Sequence, residues 1–260
     1  MNKHLVSIIL TYFNKRAFIS QTLQTLKNQT YNNFEAIIIY DQEDLTDFNY
    51  IDDLINSDTR FFLYNNKKNY GAGFSRNQGI NYSKGKYICF LDCDDLWDPN
   101  KIEIQYKFML EKNLLFSHTS FKIINESDKI IGVMRSKEKT SYNDLIKSCD
   151  IGLSTVMFHE SIKKNMQFPS IKTKEDYVLW LQLSKQYQIT GLDKKIVSWR
   201  KTKGSLSDSI LRSMMSGFIV YNNYEKKSVI ISFFYLLRLC FYFFLKKISQ
   251  KIELMNSIKN

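Results

Sequence analysis

Apolar residues gather into short runs separated by polar turns, and the spacing of those runs organises the first hundred residues. Val6–Leu10, Ala36–Tyr40, Arg60–Tyr64 and Tyr87–Leu91 are compact and largely apolar. Such near-continuous runs suit strands buried on both faces, as in a parallel sheet. Between them, Ala17–Asn28 sets Phe18, Thr22, Leu23 and Leu26 at helical spacing, and Ile51–Ser57 suits a second helix. Gly71–Tyr82 carries Gly71, Gly73 and Gly79 around Arg76-Asn77, a loop running into a helix. Strand and helix alternate, which predicts an α/β fold with a parallel, doubly wound sheet.

Beyond Asp98-Pro99 the pattern loosens. Lys101–Lys112 reads as a helix, Leu114–Ile124 and Lys129–Met134 as a strand pair, Ser141–Ser148 as a short helix and Thr155–His159 as a strand. Glu175–Tyr187 is an amphipathic helix, and Ile196–Trp199 a last strand before the loop Arg200–Ser207. There are no repeats or low-complexity linkers. The expected organisation is one domain with two halves, 1–100 and 101–208, and a separate tail at 209–260. Within that tail Val229–Leu245 is apolar and aromatic, interrupted by Arg238 and flanked by Lys226-Lys227 and Lys246-Lys247. A segment of this kind suits a helix lying in the interface of an anionic leaflet. A helix on the domain's own core, an oligomer contact or a short span with Arg238 at its middle are the alternatives.

Charge and composition narrow the partners. The 260 residues carry a formal net charge of +11, which points to an anionic partner: nucleic acid, a phosphorylated substrate or an anionic membrane. The basic residues are dispersed and form no known nucleic-acid-binding module, so nucleic acid is not the expected partner. Four cysteines, Cys89, Cys93, Cys149 and Cys240, form no C-x-x-C pair, which predicts reduced thiols. The apolar run near Met1 is too short for a secretory signal, so a cytoplasmic protein is expected.

The chemistry concentrates where the fourth strand ends. Tyr87-Ile-Cys-Phe-Leu91 runs straight into Asp92, Asp94 and Asp95. Buried carboxylates are costly, so these belong just past the carboxyl end of the strand, where open α/β sheets bind ligands. Asp92 and Asp94 are two residues apart and in extended chain point the same way, able to share one hard cation. Oxygen ligands favour Mg²⁺ or Mn²⁺, held against an anion such as a diphosphate. Glu175-Asp176 opens a helix, where carboxylates also meet the positive end of the helix dipole.

Taken together, several segments resemble the inverting family 2 glycosyltransferases of the GT-A fold. They are Val6–Asn14, Gln29-Thr30-Tyr31, Phe34–Asp41, Asn69–Ile80, the D-x-D strand Phe90–Asp95 and the E-D-x-x-L-W helix start at Lys174–Trp180. The resemblance spans roughly residues 5–207. It implies a transferase that moves a sugar from a nucleotide-sugar, a UDP-sugar by expectation, to a hydroxyl of a glycan or lipid-linked glycan. Such an enzyme would serve surface polysaccharide synthesis at the inner membrane face. By the same resemblance Asp94 is the direct metal ligand, with Asp92 at the ribose or the metal's water shell. Asp176 is the general base and Glu175 its neighbour in acceptor binding. Thr11, Tyr12, Asn14, Asp41, Arg76, Cys93, Asp95, Arg200 and Lys203 line the nucleotide-sugar. Asp41 is expected to accept from the base, Asp95 to meet sugar hydroxyls, and Arg200, Lys201 and Lys203 to neutralise the diphosphate. For Tyr12 and Trp180 core packing competes with a site role, and for Arg76 a structural salt bridge to a carboxylate such as Asp41 does.

The chain departs from the family pattern twice. Asp41-Gln42-Glu43-Asp44 stands where D-D-G-S is usual, and no histidine follows Arg200, since the only three are His4, His118 and His159. Homo-oligomerisation through the aromatic tail is open. A nucleic-acid-binding protein and a non-catalytic scaffold of the same fold are the competing readings. A nicotinamide oxidoreductase is disfavoured, because no G-x-G-x-x-G follows the first strand.

Overall fold

The computed structural model describes residues 3–202 and 210–259. Four strands, β1 (Val6–Tyr12), β2 (Phe34–Tyr40), β3 (Phe61–Asn65) and β4 (Tyr87–Asp92), lie side by side in the order β3-β2-β1-β4 and are all parallel. The apolar runs of β1, β2 and β4 are buried on both faces, as their lack of alternation predicts. Helices α1 (Arg16–Lys27) and α2 (Thr46–Ile55) cover one face, using Ile19, Leu23, Leu26, Ile51 and Ile55. Helix α3 (Ala72–Tyr82) covers the other through Ile80. It sits close to β1 because Gly79 has no side chain: a Cβ there would lie 2.4 Å from Ile9 Cγ2.

The same sheet continues into the second half. After the two-residue strand β5 (Leu96–Trp97) and helix α4 (Lys101–Glu111), the hairpin β6 (Phe116–Ile124) and β7 (Ile130–Met134) forms as expected. Then come β8 (Lys139–Thr140), α5 (Tyr142–Leu145), β9 (Met157–His159), α6 (Glu175–Ser184) and β10 (Ile189–Arg200). β9 runs antiparallel between β4 and β6, while β10 pairs parallel with β6. β10 begins well before the predicted Ile196, because its polar stretch Leu192–Lys195 bulges against β6 and hides the strand pattern. The carboxyl ends of β1, β2, β4 and β10 therefore meet at one edge. The strand order reverses between β1 and β4, and this switch point is where such sheets bind ligands.

Two helices close the chain, α7 (Ile210–Ile219), continued by a π-helical turn at Val220–Tyr224, and α8 (Val229–Lys259). Ser232 and Leu236 are buried and Leu239 partly so, against the α6 side of the core.

Candidate active site

Asp92 is the last residue of β4 and lies beside Thr11 of β1 in the parallel register. The chain then turns sharply, with the Asp95 amide donating to the Asp92 carbonyl at 3.0 Å. Three acids so close together need cations, and the fold supplies two. Arg76 Nη2 donates to Asp92 at 3.0 Å, and the Lys15 ammonium pairs with Asp94. Lys15 also donates to Thr202 Oγ1 at 3.2 Å. Burial and the charge of Asp92 push the Asp94 carboxyl above its usual range, with Lys15 opposing the shift. Neither Lys15 nor Thr202 stands out in the sequence. Only the meeting of the β1–α1 turn with the end of β10 shows them.

Arg76 joins the two halves of the site. It projects from the buried face of α3 and is only 6% exposed. One nitrogen serves Asp92, the other pairs with Glu175 at the start of α6, and the guanidinium lies over the Phe168 ring at 5.4 Å. Burial alone would weaken its hold on a proton, but Glu175, Asp92 and Asp176 raise its pKa instead. The salt bridge weighed for Arg76, to a carboxylate such as Asp41, forms instead with Asp92 and Glu175. Next to this pair, Asp176 occupies the first turn of α6, preceded by Lys174 in the left-handed region at φ 67°. The Tyr177 amide donates to its Oδ1 at 2.7 Å. Burial and the neighbouring Glu175 push the Asp176 carboxyl up to about 6, close to the value that suits a general base near neutral pH.

Several expected contacts are redirected inward. Asp41 is 2% exposed, and its oxygens accept from Asn66 Nδ2 at 2.8 Å and from the amides of Tyr70 and Gly71 at 3.0 and 2.8 Å. It pins the loop that enters α3, where Gly71 takes φ 91°, a conformation that favours glycine. Asp95 is 1% exposed and is a framework group: Ser154 Oγ and the Arg200 amide each donate to it, at 2.5 and 2.8 Å. Ser154 Oγ also accepts from the Asp92 amide at 3.0 Å, fixing both acids. Cys93 turns its side chain into the core, where burial pushes the thiol well up. Both side chains, Asp95 and Cys93, are thus turned to partners within the fold.

Tyr12 is likewise core. Its ring stacks on Tyr40 at 5.2 Å, and its hydroxyl donates to Asp47 at 2.6 Å. Trp180 is fully buried among Phe116, Phe158 and Phe168, so it lines no acceptor pocket. Arg200 does not reach outward to a diphosphate either. Its side chain is buried, donating to Asp94 O and Gln21 Oε1, both at 2.8 Å, and pairing with Asp128. It needs these acceptors because a buried guanidinium left unpaired is costly. Thr11 is half-buried beside Asp92, and Asn14 is exposed at φ 51° with its amide donating to Gln42 Oε1 at 3.0 Å. Gln42, which replaces the usual acid, thus braces the turn after β1. Lys203 and the rest of the expected loop to Ser207 lie outside the described residues.

The residues suit a metal that arrives with its substrate. Among the described residues no group of three His, Cys, Asp or Glu side chains is placed to hold a metal ion. Asp92 and Asp94 are oxygen donors, and Asp92 lies close enough to disfavour the charge of Asp94, which invites a cation. One or two carboxylates plus phosphate oxygens is a common Mg²⁺ set. Among the described residues Asp94 is paired with Lys15, whose ammonium has rotatable donors, so of the two acids it would be the more readily freed for a cation.

Apart from the cleft, α8 resolves the role of its central arginine. Arg238 turns inward, donating to the Ile146 carbonyl at 3.1 Å with its guanidinium over Tyr235 at 4.3 Å, and Lys246 ties to Cys149 O and Asp150. The outer face shows Ile230, Phe234, Phe241 and Phe244, with Ile230 71% and Phe234 63% exposed. Over Val229–Lys246 this helix is long and apolar enough to cross a membrane, by length and composition, and 11% of that window is buried.

Comparison with known proteins places this geometry in context. The model of Glycosyl transferase family 2 matches residues 7–164. A UDP-Glc:alpha-D-GlcNAc-diphosphoundecaprenol beta-1,3-glucosyltransferase of Escherichia coli, WfgD, is 34% identical over 217 residues, covering 82% of this chain and 84% of that protein. Staphylococcal TarS 1-349 in complex with UDP-GlcNAc (S. aureus) superposes with a TM-score of 0.67 at 19% identity, over 89% of this chain and 70% of that one. The mannosyltransferase PcManGT from Pyrobaculum calidifontis, in complex with GDP-Man and Mn²⁺, gives 0.68 at 11% identity, over 91% and 70%. At such identities the two structures speak for the shared GT-A fold alone.

Proposed function

The chain belongs to glycosyl transferase family 2, and from that premise we propose that it transfers a sugar, with inversion, from a UDP-sugar to a hydroxyl of a lipid-linked glycan during surface polysaccharide synthesis. The observation that carries this reading is the Arg76 bridge. It ties Asp92, at the donor end of β4, to Glu175, beside Asp176. A carboxylate with a raised proton affinity thus stands on a separate element, next to the acid that Arg76 ties to the D-x-D turn. In this reading Asp176 takes the proton from the acceptor hydroxyl as its oxygen bonds to the anomeric carbon, while the bond from that carbon to the diphosphate breaks on the opposite side. Arg76 keeps Asp92 and Glu175 in place without itself changing charge. Asp94, assisted by Asp92, would hold Mg²⁺ or Mn²⁺ against the diphosphate. When bound, that ion supplies Lewis-acid stabilisation of the leaving group. The UDP preference and the lipid-linked acceptor draw on the printed activity of the Escherichia coli relative.

The tail supports a location. With Arg238 and Lys246 directed to the domain, the exposed face of α8 is aromatic and aliphatic, and Lys226 and Lys227 stand at its start. That pattern favours peripheral attachment to the anionic cytoplasmic leaflet, where a lipid-linked acceptor would be met.

A donor panel tests the proposal. Purified protein is given UDP-, GDP- and dTDP-sugars with a lipid diphosphate-linked sugar acceptor, with and without Mn²⁺, and nucleoside diphosphate release is measured. The expected outcome is release from one UDP-sugar, dependent on acceptor and on the divalent ion. No release from any donor, with acceptors of several kinds, would contradict it.

A further inference from the structure

Lys15 carries more than its sequence context suggests. It occupies the N-cap position of α1, immediately after Asn14, whose positive φ turns the chain at the carboxyl end of β1. From there its ammonium reaches Asp94 and, at 3.2 Å, Thr202 Oγ1 at the far end of β10. Both acids of the D-x-D turn therefore carry a resident cation, but of different kinds. Arg76 is buried and divided between two carboxylates on different elements, so it is a fixed strut. Lys15 has a flexible stem, a side chain 27% exposed and, among the described residues, a single carboxylate partner. A lysine ammonium is a compact charge with rotatable donors, able to change partners where an arginine fork is committed to one geometry.

We propose, resting on the transferase reading above, that Lys15 is the exchangeable counter-ion of Asp94: it yields the carboxylate to the divalent cation and passes to the donor's diphosphate. In the structure the Lys15 ammonium sits directly on Asp94, with Thr202 beside it. It cannot keep that oxygen once a divalent cation takes it, because two cations on one carboxylate repel. The diphosphate is the nearest new anion the reaction supplies, and a charge-assisted hydrogen bond from the ammonium to a phosphate oxygen is a strong one. Lys15 thereby provides a diphosphate contact from the first loop. Thr202 keeps the stem aimed across the cleft during the exchange.

The test compares wild type with Lys15→Met and Lys15→Arg. Mn²⁺ binding without nucleotide is read from the electron paramagnetic resonance of free Mn²⁺, and UDP binding in saturating Mn²⁺ by calorimetry. Thermal unfolding and circular dichroism establish that each variant is folded. Lys15→Met is expected to bind Mn²⁺ alone several-fold more tightly, having lost the competing cation. It should bind UDP about tenfold more weakly, the scale of one lost charge-assisted hydrogen bond. Lys15→Arg should stay near wild type for Mn²⁺. Folded Lys15→Met with unchanged Mn²⁺ affinity, or with unchanged UDP affinity, overturns the assignment. Wild type that binds no UDP in Mn²⁺ overturns the donor reading itself, a different failure. Should Lys15→Met not fold, Thr202→Val gives the second measurement: it loosens the stem and should lower UDP affinity in Mn²⁺, and an unchanged affinity would also refute the assignment.

Discussion

At the scale of single residues, Asp176 is where environment turns an ordinary side chain into a reagent. Its carboxyl is lifted from 3.8 to about 6 by burial and by Glu175. If Asp176 acts as a base in its ionised form, kcat/KM should climb with pH below about 6 and level off above it. A profile flat from pH 5 to 8 would remove Asp176 from that role. The same shift affects stability. The folded protein binds a proton more tightly at Asp176 than the unfolded chain does, so stability falls as pH rises from about 4 to about 6 and stays lower above. The cost at neutral pH is at most about 3 kcal/mol. Asp176→Asn should therefore raise the melting temperature at pH 7.5 by a few degrees, with no gain below pH 4, while lowering turnover by about 10² to 10⁴. A lower melting temperature at pH 7.5 would contradict this. Asp92, Asp94, Glu175 and Asp176 stand out in the sequence because acids after an apolar run, or at a helix start, are visible locally, and the structure joins the two groups through Arg76. The sequence did not reveal that the side chains of Tyr12, Cys93, Asp95 and Arg200 turn into the core or pair with partners far away in the chain. Lys15 escaped notice for the same reason, since its partners lie past β10 and past β4.

Among elements, the parallel half was readable because strands buried on both faces leave unbroken apolar runs. The antiparallel half was less so. β5 and β8 are two residues long and carry no pattern, and β10 hides its first part behind a bulge. The close seat of α3 on β1 depends on Gly79. Gly79→Ala would drive a methyl against the Ile9 side chain and should cost about 1–3 kcal/mol. Because α3 also carries Arg76, the same change should weaken UDP binding, which denaturant unfolding and calorimetry would check together. Unaltered stability would mean that Ile9 moves aside freely.

For the molecule as a whole, the apolar tail was visible in the sequence, but its orientation was not. Arg238 is ambiguous in one dimension and plain in three, since it faces the Ile146 carbonyl rather than the exposed side. Replacing Phe234, Phe241 and Phe244 by serine should cut sedimentation with phosphatidylglycerol vesicles at least tenfold. The melting temperature should hardly change, because these rings are exposed. Equal vesicle binding by the variant would place the attachment elsewhere.

The central claim, donor activation at Asp94 and acceptor activation at Asp176, is tested most directly by two variants side by side. Transfer and Mn²⁺-dependent UDP binding are measured for Asp94→Ala and Asp176→Ala. Both should lose transfer, and only Asp94→Ala should lose Mn²⁺-dependent UDP binding. Normal turnover by Asp176→Ala, or undiminished Mn²⁺-dependent UDP binding by Asp94→Ala, would contradict the account.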